Sequence, residues 1–113
     1  MGTNYYLKQP TQTDDTHRLF EIEPQSIHIG KFSNGWRFSF QGQHIADYTL
    51  WRHALKQALY DGWTIRDEYG TQHAYVDLCS LIDSSGPGRT EVTPDDNNWL
   101  DKEGWPFHSG DFS

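Results

Sequence analysis

Apolar and polar positions change period several times along the 113-residue chain, and each change predicts an element. Residues 4–8 (NYYLK) favour a strand and run into the polar, turn-prone QPTQTDDT. In 17–23 (HRLFEIE), Phe20 and Ile22 alternate with Leu19 and Glu21, which predicts a short strand stopped by Pro24. The stretch 26–41 carries Asn34-Gly35 between two apolar-rich arms, a strong signal for a two-residue type I′ hairpin. That turn would pair Ser33 with Trp36, Lys31 with Phe38 and Ile29 with Phe40, collecting Ile27, Ile29, Trp36, Phe38 and Phe40 on one face.

The period then lengthens. Leu50, Trp51, Ala54, Leu55, Ala58 and Leu59 recur at 3.6-residue spacing and predict an amphipathic helix over 49–61. Asp47 or Thr49 would cap its start, and Gly62 suits the left-handed position beyond its end. Arg52, His53, Lys56 and Gln57 fall on its wet side. A strand over 63–66 and a turn at Tyr69-Gly70 precede a second, shorter helix over 74–85, with Tyr75, Leu78, Leu81 and Ile82 at helical spacing; the alternative is that Tyr75-Val76 extends a strand. Residues 84–98 read as a polar loop and a hinge. Residues 99–113 bring back Trp99, Leu100, Trp105, Phe107 and Phe112, so this tail is expected to dock on the sheet through a turn at Glu103-Gly104. The pattern predicts one α+β domain over 1–113. It would hold an antiparallel sheet of about four strands, a long amphipathic helix packed on it and a second short helix.

Composition makes that core aromatic. Five Trp, six Tyr and six Phe compensate for an aliphatic content that is low, and each buried ring removes roughly 150–250 Å² from water. The one cysteine, Cys79, excludes an intrachain disulfide and any CxxC zinc site. No secretory h-region and no membrane-spanning apolar run is visible, so a soluble cytoplasmic protein is expected. The net charge of −7 is uneven: residues 1–66 carry seven Lys/Arg against six Asp/Glu, and 67–113 carry two against ten. The acidic half would repel phosphates and attract a basic partner.

Candidate chemistry is sparse. The six histidines show neither HxH nor HxxxH spacing, and no metal or other cofactor is expected. Cys79 with His73 would be a nucleophile and base only if the thiol left its apolar helix face, and Asp67-Glu68 reads better as part of a turn than as an acid–base pair. No catalytic residue is assigned.

The segments MGTNYYL, IHIGKFSNGWRF, IRDEYG and EGWPFHSGDFS, in that order, resemble a family of small uncharacterised bacteriophage and prophage proteins. The resemblance covers about a third of the residues, spread over the whole chain. Many members carry a cysteine pair just before the HIGK segment, which implies a small metal knuckle; this chain has PTQTDDTHRLFEIEPQS there and no cysteine. The resemblance implies a mobile-element origin and a bacterial host cytoplasm, and no activity.

In that setting the acidic half points to a non-catalytic protein that binds and inhibits a host macromolecule, as an anti-defence (anti-CRISPR-like) or nucleic-acid-mimicking inhibitor would. Glu91, Asp95, Asp96, Asp101 and Glu103 would supply charge to a nucleic-acid-handling or defence protein, and Trp99 and Trp105 aromatic anchors. The alternative is a small nucleic-acid-associated protein using Lys31, Phe32, Arg37, Arg52 and Lys56.

Overall fold

The computed structural model describes residues 2–10, 26–90 and 98–110. The strand expected over 17–23, and Glu91, Asp95 and Asp96, lie outside the described residues. In chain order the elements are β1 (Gly2–Lys8), β2 (Ser26–Ser33), β3 (Ser39–Gln41), α1 (Tyr48–Tyr60), β4 (Thr64–Asp67), β5 (Gln72–His73), α2 (Tyr75–Ser84), β6 (Asn98–Leu100) and β7 (Pro106–His108).

The α+β class stands, but the expected architecture does not. The strands form one seven-stranded sheet in the order β5-β4-β1-β2-β3-β7-β6. It is mixed, because β7 runs parallel to β3 while the other pairs are antiparallel. Both helices are short, 13 and 10 residues, so no single long helix dominates. The extra strands, β5, β6 and β7, are two or three residues long. A strand that short shows no alternation to read; it forms because its backbone finds a partner.

The hairpin also departs from expectation. Asn34 keeps a negative φ and Gly35 alone is positive, at 87°, with Trp36 N–H donating to the Ser33 carbonyl at 3.0 Å. That combination belongs to a type II turn, which splays its flanking strands, whereas I′ would continue the ladder. Trp36 therefore bridges to Arg89 instead of Ser33, and pairing resumes one residue out of the expected register, with Lys31 opposite Ser39 and Gly30 opposite Phe40. A one-residue slip would normally turn Ile29 outward. It does not, because β1 steps from Tyr5 to Tyr6 while β2 steps from Gly30 to His28, leaving Ile29 as the extra residue of a bulge. Ile29, Phe38 and Phe40 are all fully buried in one core.

That core lies between the sheet and the helices. Across the sheet, one row of paired residues runs Tyr5, Gly30, Phe40, Phe107, Trp99. Phe40 and Phe107 stack at 4.9 Å, and Phe107 and Trp99 at 5.8 Å, with 14° between planes in each case. Gly30 leaves the gap in the row that the Phe38 ring occupies. From above, α1 contributes Tyr48, Trp51 and Leu55, and α2 contributes Leu78 and Ile82. The start of α1 is capped by Asp47, whose carboxylate accepts from Leu50 N–H at 2.8 Å, and Gly62 takes the left-handed turn beyond its end. On the opposite sheet face the paired Tyr6 and His28 stack at 5.0 Å, with Lys8 Nζ 5.2 Å from the Tyr6 ring centre. No helix among the described residues is long and apolar enough to cross a membrane.

Candidate binding groove on the first helix

Most ionisable side chains in the described residues brace the fold. Asp101 follows β6 and opens the turn into β7. Its Oδ1 accepts from Glu103 N–H at 3.0 Å and Trp105 N–H at 2.8 Å, and its Oδ2 accepts from Tyr48 N–H at 2.9 Å. One carboxylate thus shapes the turn and ties it to the start of α1. Glu103 accepts from the Thr49 hydroxyl at 2.9 Å. Trp99 is half-buried and donates its indole N–H to the Ala46 carbonyl, and Trp105 is buried against Phe40 and Tyr48. Of the residues expected to form an acidic binding face, these four are therefore built into the framework.

Arg37 is a strut rather than a surface cation. Its Nε donates to the Gly86 carbonyl at 2.6 Å, one terminal nitrogen donates to the Gly104 carbonyl at 2.9 Å, and the guanidinium lies 5.0 Å from the Trp105 ring. Phe32 packs against the core, and Lys31 stands on β2 opposite Asn4 and Ser39. The five residues of the expected nucleic-acid face are thus dispersed, and only Arg52 and Lys56 meet.

The acid–base candidates are internal too. His73 Nε2 lies 2.9 Å from Asp67 Oδ2 and edge-on to Tyr5, not beside Cys79. Asp67 Oδ1 also accepts from Tyr69 and Thr71 N–H, at 2.9 and 3.0 Å. The bond to His73, with help from those two amides, holds the Asp67 carboxyl below the usual carboxylate range. The Tyr48 hydroxyl donates to Asp83 at 3.0 Å. Burial first, then the adjacent Cys79 and Asp83, push that phenol far above its ordinary range, so it stays a hydrogen-bond donor. Among the described residues no group of three His, Cys, Asp or Glu is placed to hold a metal ion.

Against this background one groove stands out. Thr49, Arg52, His53 and Lys56 lie at i, i+3, i+4 and i+7 of α1 and so form one ridge, facing Tyr75 at the start of α2 across a cleft of about 190 Å³. Each long cation rests on a ring: the Arg52 guanidinium 4.8 Å from Tyr48 and the Lys56 ammonium 5.7 Å from Tyr75. Their stems are thereby oriented before any ligand arrives. A second cleft, about 140 Å³, lies between the hairpin and the outer face of β7, lined by Trp36, Ser39, Arg89, Pro106 and His108. The sequence pattern held the signal for the first groove, a polar stripe at helical spacing beside the apolar one. Tyr75, contributed by another element, carried no such signal. No family model, no curated protein and no solved structure matches the chain.

Proposed function

We propose that this chain is a non-catalytic binding protein of bacteriophage type, acting in the bacterial cytoplasm, that blocks a host protein whose working surface is basic because it normally holds nucleic acid. The observation that supports this reading is the distribution of charge. Residues 1–66 carry seven Lys/Arg against six Asp/Glu, while 67–113 carry two against ten, so the excess of negative charge lies in 67–113. Carboxylates of the framework, Asp47, Asp67, Asp83, Asp101 and Glu103 among them, are engaged in internal hydrogen bonds. Charge of one sign concentrated in this way steers a partner of the other sign.

Direct nucleic-acid binding through Lys31, Phe32, Arg37, Arg52 and Lys56 is the weaker reading, because the fold parts these residues and Arg37 is engaged on backbone carbonyls. The test is affinity capture from host lysate with the native chain and with the variant E91Q/D95N/D96N. A basic, nucleic-acid-handling protein should be retained by the native chain. It should be lost with the variant, and also at about 1 M salt, where the screening length falls to about 3 Å. A partner set that contains no such protein, or that ignores the three substitutions, would overturn the reading.

A further inference from the structure

We propose that the groove between α1 and α2 is an anion site for a single phosphate group, carried by a small organic phosphate or by inorganic phosphate itself. The inference uses Thr49, Arg52, His53, Lys56 and Tyr75 alone and does not depend on the excess of negative charge invoked above. Three observations carry it.

First, the two cations are one helical turn apart, on the same ridge, and face the same cleft. Among the described residues neither is within ion-pair distance of a carboxylate; their neighbours are the rings of Tyr48 and Tyr75. The nearby acids are already bonded, Glu103 to the Thr49 hydroxyl and Asp83 to the Tyr48 hydroxyl. Second, the two positive charges match a phosphate dianion, which also accepts from further donors such as a ring N–H of His53 and the hydroxyl of Tyr75. A carboxylate would balance only one of the two. Third, the space of about 190 Å³ is below the roughly 300–1,000 Å³ of sites that enclose drug-sized ligands, so it suits a compact group. An extended nucleic-acid track would need further cations in line with the groove, and Lys31 and Arg37 are elsewhere.

The experiment is a titration of the full chain with inorganic phosphate and with phenyl phosphate, at ionic strength matched with chloride, followed by amide NMR shifts and calorimetry. Saturable one-to-one binding is expected, with shifts centred on Thr49, Arg52, His53, Lys56 and Tyr75. Equal affinity for the two probes would assign free phosphate, and tighter phenyl phosphate would assign an organic ester. R52Q and K56Q should each weaken binding about tenfold through loss of a charge-assisted hydrogen bond, while K56R should retain it. Because Arg52 also rests on the core residue Tyr48, K56Q is the decisive variant, and its melting temperature should match the parent. Shifts that rise linearly and equally with chloride, or unchanged affinity in K56Q, would overturn the proposal. So would a short single-stranded oligodeoxynucleotide binding where neither phosphate probe saturates.

Discussion

Two glycines show how differently one residue type can matter. A Cβ on Gly30 would stand 2.2 Å from the Ser39 carbonyl oxygen and 2.4 Å from the Phe38 ring, so the β2–β3 pair and the core would both have to give. Gly35 has nothing within 4 Å, and its requirement is only the positive φ of the turn. G30A should therefore cost about 3 kcal/mol by overpacking, and G35A about 1 kcal/mol through backbone conformation. Urea unfolding of the two variants decides it; equal midpoints would mean that the register of β2 against β3 is misdrawn. Asp67 gives a pH prediction. Its carboxyl pKa is depressed in the folded state, so its contribution is present above the ordinary carboxylate range and is lost as pH falls through the lower, folded value. Melting temperature should drop on acidification below about pH 4, near the unfolded carboxylate value, and D67N should blunt that drop. An identical acid profile for D67N would remove Asp67 from the account. At this scale the sequence was readable wherever the chemistry is local: Asp47 as a cap, Gly62 beyond the helix, Asp67-Glu68 at a turn. It was mute on Gly30, because the need for a missing side chain is created by Phe38 and Ser39 only after the strands pair.

Among the elements, α1 was the most legible, because thirteen residues repeat the 3.6 period often enough to define a face. Even so the face was placed slightly askew. Leu50 belongs to the apolar stripe by spacing but is 51% exposed, and Tyr48, one residue before the expected start, is buried in its stead. Capture of the Tyr48 amide by Asp101 extends the helix by that residue and turns its ring into the core, information held 53 positions away. L55A should cost about 3 kcal/mol, in the range for a truncated core leucine. L50A should stay within about 0.5 kcal/mol. Chemical denaturation of the pair tests the rotation of α1 on the sheet, and a reversed ranking would refute it. The strands at 4–8, 63–66 and in the hairpin arms were legible, but the three added to them were not, for a related reason. β5, β6 and β7 offer one or two inward positions each, so their existence depends on partners brought from afar. The hairpin was misread because Asn34-Gly35 fixes where the chain turns but not which turn it makes. The Trp36–Arg89 bridge draws the second arm away from β2, and the bulge at Ile29 then restores the inward face.

At the level of the whole molecule, the aromatic tail is part of the sheet rather than a cover over it. β7 lies between β3 and β6, in parallel with β3, so the sheet has no continuous path to β6 without it. Its Phe107 is fully buried between Phe40 and Trp99, and Trp105 closes the core over Tyr48 and Phe40. Arg37 fastens the same segment to the hairpin and to the loop after α2 through the carbonyls of Gly104 and Gly86. Tail, hairpin and helices therefore share one core, and that core cannot be closed by the first ninety residues alone. A chain ending at residue 97 would uncover the rings of Phe40 and Tyr48, which pack on Phe107 and Trp105, each worth about 2–3 kcal/mol of burial, against a total stability of about 5–15 kcal/mol for a domain of this kind. The truncated chain should lose its cooperative thermal transition and bind a hydrophobic dye, with far-ultraviolet circular dichroism reduced but not abolished. A sharp melt without dye binding would mean that β1–β5 and the helices form a self-sufficient unit. The tail would then be an appendage whose aromatic residues are free for another role, and the structural parts assigned above to Asp101, Trp99 and Trp105 would have to be given up.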